Sequence, residues 1–128
     1  MPWTGVMCNF IDKAFKSEAF HITNGAKVGV DFLYVKDACR FFALLIDKNA
    51  SGIYNIASGN EVNLLELAEK ILQISRSNSE VVNADTGQPE NRAVIDIGKL
   101  RALDKDLYTT DFNLSLRETI EYYKSNLN

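Results

Sequence analysis

The stretch Asp31-Phe32-Leu33-Tyr34-Val35-Lys36-Asp37-Ala38 decides the fold of this chain. Residues 32–35 are aromatic, aliphatic and β-branched, a composition that predicts a buried strand. Apolar side chains then recur at helical spacing, so we expect the strand to run directly into a helix. The predicted inward face of that helix is Ala38, Phe41, Phe42, Leu45 and Ile46.

A second strand and helix are predicted on the C-terminal side of this stretch. The Ser51-Gly52 turn leads into residues 53–57, where Tyr54 is expected, like Phe32 and Tyr34, to be a core residue of a short strand. Asn63 is expected to cap the next helix, and Glu66 completes a capping-box arrangement. The predicted inward face of this helix is Leu64, Leu67, Ala68, Ile71 and Leu72.

The N-terminal part predicts a helix followed by a short strand. Thr4 is a candidate N-cap for a helix with the stripe Met7, Phe10, Ile11, Ala14 and Phe15. Residues 20–23 predict a strand that the turn signal Asn24-Gly25 closes. Gly25 and Gly29 bracket a predicted loop.

The last third of the chain contains the clearest helix. Residues 80–82 predict a weak strand, residues 83–91 a polar loop, and Asp96 the cap of a short helix with Leu100 and Leu103. Asp111 is placed to cap the final helix. The stripe of that helix is Phe112, Leu116, Thr119, Ile120, Tyr123 and Leu127, with a charged outer face of Arg117, Glu118, Glu121 and Lys124. The order of elements indicates an α/β (α+β-like) fold with about five helices and short strands, too few for a complete doubly wound sheet.

The composition is that of one soluble globular domain. The 128 residues are 46% hydrophobic and 24% charged, with a net charge of -3 and scattered lysines and arginines. This charge disfavours a nucleic-acid or anionic-membrane partner. No apolar run is long enough to cross a membrane, and the start lacks a signal-peptide pattern. Cys8 and Cys39 stand in helical patterns among apolar neighbours, which suits buried, reduced thiols and a cytoplasmic location.

A series of short segments, in order along the chain, carries a family resemblance. Residues 31–38 are similar to Arg-Asp-Phe-Val-Tyr-Val-x-Asp-Val/Ala, residues 52–59 to Gly-x-Tyr-Asn-Ile-Gly-Ser-Gly, and residues 62–68 to Val-Ser-Leu-Leu-Glu-Leu-Ala. Residues 96–100 and 116–120 match later segments, and Asn9-Phe10-Ile11-Asp12-Lys13-Ala14 matches an early Asn-Phe-Ile-x-x-Ala helix. The ordered set resembles the C-terminal part of extended short-chain dehydrogenase/reductases, the NAD-dependent nucleotide-sugar epimerases and dehydratases.

The resemblance implies a single substrate-binding domain over residues 1–128 that grips a nucleoside-diphosphate sugar. In the family, an N-terminal Rossmann half binds NAD(P) through a Gly-rich turn and supplies a Tyr-x-x-x-Lys pair. Residues 1–3 align with the middle of the family's chain, so we expect this chain to be a fragment of a larger two-domain enzyme. The seven glycines make no Gly-rich fingerprint, and no lysine stands four residues after any tyrosine. We therefore expect no cofactor site and no catalytic residue in this chain, which should not be catalytically competent alone.

Six residues are predicted to bind the substrate: Asn9, His21, Ile22, Thr23, Gln88 and Arg92. Residues 21–23 stand where the family often places a proline and an aromatic residue near the base. The family's two phosphate-binding arginines are replaced by Val30 and by Gln88, and Arg92 is the candidate substitute for the second. The loss of two charge-assisted contacts predicts a different nucleotide or weak binding. His21 as a strand-end histidine and Asn9 as a solvated helix residue remain alternatives.

Three further patterns have simpler interpretations than catalysis. The sequence Asp85-Thr86-Gly87 matches the Asp-Thr-Gly triplet of aspartic proteases. In those enzymes an apolar strand precedes the triplet, whereas residues 82–84 are not such a strand, so a polar turn is expected. Cys8 and His21 could form a nucleophile pair, but the preferred interpretation is that the Cys8 thiol is inert. The presence of a single histidine also disfavours a histidine-rich metal site. Asp31 is expected to order a loop rather than to contact substrate.

Two hypotheses about function remain open on the sequence. The first is the sugar-nucleotide-binding region of an NAD(P)-dependent epimerase, dehydratase or decarboxylase. The second, motivated by Val30 and Gln88, is a non-catalytic binding or oligomerisation module from a truncated or diverged member. If a Rossmann half packs here in the parent enzyme, its removal exposes an apolar face, and we expect self-association through that face.

Overall fold

The computed structural model describes residues 5–126, so the expectations for Thr4 and Leu127 lie outside the described residues. Within that range the chain forms five helices and five short strands, which confirms the mixed α/β class. The helices are α1 (Val6–Lys16), α2 (Val35–Asp47), α3 (Leu64–Ser75), α4 (Gly98–Arg101) and α5 (Phe112–Ser125). The strands are β1 (Phe20–Thr23), β2 (Val28–Val30), β3 (Val62–Asn63), β4 (Val81–Ala84) and β5 (Asn91–Arg92).

The strands form two small sheets that the β1–β2 turn connects. β1 pairs with β4 in parallel, so that Thr23 lies opposite Ala84. In the second sheet, β2 lies between β3, which is antiparallel, and β5, which is parallel. Gly29 therefore has Asn63 on one side and Arg92 on the other. Since β2 includes Gly29, the loop predicted between the two glycines is shorter than expected.

The main core lies between α1, α3 and α5 and the first sheet. Phe10 of α1 stacks on Phe20 of β1 with ring centroids 4.8 Å apart. The predicted stripes of the three helices are confirmed, because their central members are buried: Ile11, Ala14, Leu67, Ala68, Ile71, Leu116, Ile120 and Tyr123. Two of the predicted caps are also present, with Asn63 accepting from Glu66 N at 2.9 Å and Asp111 from Leu114 N at 3.1 Å. Asp96 accepts from Gly98 N at 2.7 Å, but it stands one residue before Ile97, the N-cap of α4, so the prediction that Asp96 caps this helix was wrong.

A second, smaller core forms around α2, and there the sequence prediction was wrong in two respects. Residues 32–35 and 53–57 are not strands, because no neighbouring strand in the described chain pairs with them. The inward face of α2 consists of Asp37, Phe41 and the partly buried Leu44 and Leu45. The predicted inward residues Phe42 and Ile46 are instead 54% and 77% exposed.

Burial of Asp37 explains the orientation of α2. Its carboxylate accepts hydrogen bonds from Thr110 N at 2.9 Å, Thr110 Oγ1 at 2.6 Å and Arg40 Nη2 at 2.7 Å. These bonds hold the Asp37 side of the helix against residues 109–111, so the opposite side faces outward. Cys39 lies on that outer side and is exposed, contrary to the expectation of a buried thiol.

Candidate functional site

Four of the six predicted binding residues line one concave surface. Asn9 of α1 and the β1 residues His21, Ile22 and Thr23 border a cavity of about 390 Å³. The floor and rim are completed by Gly5, Val6, Phe10 and Leu64. The period-two alternation of β1 produces this arrangement, because Phe20 and Ile22 point into the core while His21 and Thr23 are exposed.

The chemistry of this surface is apolar below and polar at the rim. Ile22 is 4% exposed and belongs to the core, so it contributes a wall rather than a free side chain. Asn9, His21 and Thr23 have no side-chain hydrogen bond to any described residue, and their polar atoms are available to a ligand. An apolar floor with a few polar groups is the usual composition of a small-molecule site, and its volume lies in the ordinary range.

The other two predicted binding residues do not line this cavity. Gln88 is exposed in the loop after β4 and makes no side-chain hydrogen bond within the described part of the chain. Arg92 lies on β5, where Nη1 is 2.6 Å from Glu61 Oε1 and Nε is 3.2 Å from Glu90 Oε2. Nη2 also donates to the carbonyl of Ala26 at 3.2 Å. The hydrogen bond that Arg92 donates to the Glu61 carboxylate is the main reason that the pKa of Arg92 is raised.

Residues 83–87 fold back onto the β1–β2 turn. Asn24 exchanges two hydrogen bonds with Thr86, and Asn83 Oδ1 accepts from Gly25 N at 2.9 Å. Asp85 accepts from Gly87 N at 2.9 Å and pairs with Lys27 at 3.1 Å. These two partners, Gly87 first, lower the pKa of Asp85. The protease triplet is thus a polar turn, because the Asp85 carboxylate is bonded to Gly87 N and Lys27.

Asp31 orders the loop between α2 and α3, as the sequence predicted. Its carboxylate accepts from Ser58 N, Ser58 Oγ and Gly59 N at 2.9, 2.6 and 2.9 Å. A longer bond of 3.4 Å joins it to Ile95 N. Because both of its carboxylate oxygens accept hydrogen bonds from this loop, Asp31 fixes the conformation of the segment that leads to Glu61 and β3.

Sequence reasoning missed the roles of Glu61 and Glu118. Glu61 reaches Arg92 across 31 positions in the sequence, and no local pattern signals such a pair. Glu118, predicted to lie on the solvated face of α5, is instead half-buried, accepts a hydrogen bond from Tyr34 and pairs with Lys36 at 2.8 Å. The sequence did contain a signal for the Glu118 contacts. It was the spacing of Tyr34 and Lys36, which places both side chains at the start of α2.

Tyr34 and Lys36 superficially resemble a tyrosine–lysine acid–base pair. However, hydrogen bonding to the Glu118 carboxylate raises the pKa of Tyr34, whereas acid–base work near neutral pH requires a lowered value. The same partner raises the pKa of Lys36. This cluster therefore has the electrostatics of a structural contact.

Residues 5–126 contain neither a metal-binding cluster nor a membrane-spanning helix. That range holds no group of three or more histidine, cysteine, aspartate or glutamate side chains arranged to bind a metal ion. Among the helices described there, none has the length and apolarity needed to cross a membrane.

Known proteins share both sequence and fold with this chain. A UDP-N-acetyl-alpha-D-glucosaminuronate decarboxylase from Bacillus cytotoxicus is 27% identical over 96% of this chain and 41% of its own length. A dTDP-glucose 4,6-dehydratase from Streptomyces niveus is 33% identical over 74% of this chain and 29% of its own length. The crystal structure of the Bordetella bronchiseptica enzyme WbmF in complex with NADH superimposes with a TM-score of 0.81 at 29% identity, covering 97% of this chain and 38% of WbmF. No family model matches the chain.

The described residues form a small mixed α/β fold with one concave surface that has an apolar floor and a polar rim. In sequence and structure, the chain corresponds to a C-terminal part of the extended short-chain dehydrogenase/reductases, the family of nucleotide-sugar epimerases and dehydratases. The chain spans about two fifths or less of the length of the curated relatives it matches.

Proposed function

We propose that this chain is the sugar-nucleotide-binding region of an NAD(P)-dependent nucleotide-sugar epimerase or dehydratase, and that it does not catalyse the redox step by itself. The observation that carries the proposal is the convergence of Asn9, His21, Ile22 and Thr23 on one concave surface. Similarity to a nucleotide-sugar decarboxylase over 96% of the chain supports the same function.

The cavity suits the nucleoside part of such a ligand. A base is flat and apolar on its faces, which matches the floor formed by Phe10, Ile22 and Leu64. Its edge and the ribose carry donors and acceptors that the side chains of Asn9 and Thr23 can satisfy. Arg92 is the candidate phosphate ligand on the neighbouring sheet, because guanidinium groups bind phosphate with two parallel hydrogen bonds.

The residues of this chain do not fit NAD(P). It has neither a Gly-rich turn nor a Tyr-x-x-x-Lys pair, and Tyr34, which lies near Lys36, has a raised pKa. We infer that the cofactor belongs to the remainder of the parent enzyme. Residues 1–128 would then form one C-terminal domain of a two-domain protein.

The outer side of α2 is the proposed contact for that remainder. Val35, Phe42 and Ile46 form an exposed apolar stripe, and Ile53 is 87% exposed in a segment that no described strand pairs with. Large aliphatic and aromatic side chains grouped in this way favour a packing partner over open solvent.

Titration with UDP-, dTDP-, GDP- and CDP-sugars, followed by calorimetry and by amide chemical shifts, tests the binding function. We expect saturable binding of at least one of the four kinds of nucleotide sugar, with changes in amide chemical shift centred on residues 9 and 21–23. Asn9→Ala should weaken binding about tenfold through loss of one hydrogen bond to the ligand. Asn78→Ala, at an exposed position without side-chain partners, is the matched control and should bind like the wild type. A folded protein that binds none of the four would contradict the proposal.

A further inference from the structure

A second concave surface lies between α3 and α5, and we call it the cationic groove. It has a volume of about 360 Å³ and is lined by Lys70, Gln73, Ile74, Arg76, Asn113 and Arg117. It shares no lining residue with the cavity bordered by Asn9 and residues 21–23. Three of the lining side chains are cations, and no aspartate or glutamate from the described residues 5–126 lines the groove. In a chain with a net charge of -3, this groove is a local concentration of positive charge.

The two guanidinium groups of the cationic groove have no ionic partner. Within the described part of the chain, neither Arg76 nor Arg117 forms an ion pair or a side-chain hydrogen bond. Arg40 and Arg92, by contrast, are both bonded to carboxylates. A guanidinium presents a planar fork of N–H donors that matches two oxygens of a phosphate group. The donors of Arg76 and Arg117 are therefore available to an oxyanion in the groove.

Lys70 connects the two helices that form the cationic groove. Its Nζ donates to Asn113 Oδ1 at 2.8 Å and lies 3.7 Å from Glu66 Oε1. The Lys70 side chain is 25% exposed, so water screens its charge less than that of an exposed arginine. Because Asn113 Oδ1 accepts from Lys70, the amide nitrogen of Asn113 remains a free donor among the described residues. Even with Glu66 included, three cations face one carboxylate, and the net charge is positive.

Arg76 occupies a backbone position that favours a smaller residue. It is the C-cap of α3 and has a φ angle of 56°, in the left-handed region. Helices that end in this way usually place glycine there, because a side chain raises the conformational energy. The chain instead carries a long cationic side chain at this position, and that side chain lines the groove.

We propose that the cationic groove between α3 and α5 is a binding site for small molecules that carry phosphate groups. The guanidinium groups of Arg76 and Arg117 would bind phosphate oxygens, and Lys70 would add positive charge from the α3 side. The side-chain amides of Gln73 and Asn113 supply neutral donors. The volume lies in the ordinary range of small-molecule sites, so it accommodates more than a single phosphate group. This site is separate from the proposed sugar-nucleotide cavity, and the inference does not rest on that proposal.

The test is a titration with inorganic pyrophosphate, followed by amide chemical shifts at about 50 mM salt, where screening is weak. We expect saturable shift changes centred on residues 73–76 and 113–117. Arg76→Gln and Arg117→Gln should each weaken this binding at least about tenfold, because each removes a charge-assisted contact. Arg101→Gln is the matched control, since Arg101 is an exposed arginine of α4 that does not line the groove. It should bind like the wild type.

Two further measurements separate phosphate binding from indirect effects. Arg76→Gly should lose as much affinity as Arg76→Gln without a lower melting temperature, because a φ angle of 56° suits glycine. Uridine, which lacks phosphate, should leave the groove amides unchanged. The inference is overturned if pyrophosphate produces no saturable change at these amides, or if Arg76→Gln and Arg117→Gln bind it as Arg101→Gln does. The amides of residues 9 and 21–23 report on the proposed function, so the two failures are distinguishable.

Discussion

Asp31 and Ser58 are joined by two hydrogen bonds, since Asp31 Oδ1 accepts from both the backbone N and the Oγ of Ser58. The other carboxylate oxygen accepts from Gly59 N. Asp31 directly follows β2 at Val30, and residues 58–59 precede β3 at Val62. One side chain therefore ties the segment that leaves β2 to the segment that enters β3.

Replacing Asp31 with alanine should destabilise the fold by about 3 kcal/mol, because several part-buried donors lose their charged acceptor at once. Ser58→Ala removes one of those bonds and should cost about 1 kcal/mol. Urea unfolding followed by circular dichroism gives both values. If the two variants were equally stable, the carboxylate would not be organising the loop.

The secondary structure that depends on local pattern was predictable. Leu67, Ala68 and Ile71 recur with the period of a helix, and the Asn63 cap is visible in the sequence. The two predicted strands at 32–35 and 53–57 were wrong because a strand exists only when another strand supplies its hydrogen bonds, which composition does not reveal. The proximity of some candidate site residues was also predictable from local pattern. Asn9 and His21 lie on elements that pack directly together, whereas the Arg92–Glu61 pair depends on which strands flank β2.

Asp37 should be the most sensitive charged residue of α2. It is 2% exposed and accepts hydrogen bonds from Arg40 and from both polar groups of Thr110. Asp37→Ala leaves these donors facing a buried gap and should cost about 3 kcal/mol or more. Asp47→Ala, at the exposed C-terminal end of the same helix, should cost less than about 0.5 kcal/mol. Thermal and urea unfolding of the two variants should therefore differ clearly, and equal losses would contradict the assignment of Asp37 as the anchor of the helix.

Stability should fall at alkaline pH because of Tyr123. This residue is buried, and burial together with its hydrogen bond to Asp12 raises its pKa from 10.0 to about 12. A folded-state pKa above the unfolded value means that the stabilisation is present in full below pH 10 and is lost as the pH rises towards 12. The free energy of unfolding, measured in urea at intervals from pH 9 to about 12, should decline with this profile.

The control for that profile is a neighbouring tyrosine. Tyr123→Phe cannot ionise, so its stability should depend less on pH between pH 10 and 12 than that of the wild type. Tyr122, which is 64% exposed, should give a Tyr122→Phe variant with the wild-type profile. A wild-type slope in Tyr123→Phe would assign the alkaline transition to other groups.

The exposed stripe of α2 should cause self-association of the isolated chain. Val35, Cys39, Phe42 and Ile46 recur at helical spacing on the side that faces away from both cores. Burying a Phe or Ile side chain contributes about 1.5–3 kcal/mol, so pairing two such stripes is favourable. Sedimentation velocity over a range of concentrations should show reversible dimers or larger species.

Phe42→Lys should raise the dissociation constant of this self-association at least about tenfold. Leu114→Lys replaces an apolar residue of comparable exposure on α5 and should leave association unchanged. A wild-type chain that stays monomeric at high concentration would show that this stripe is stable in water without a partner.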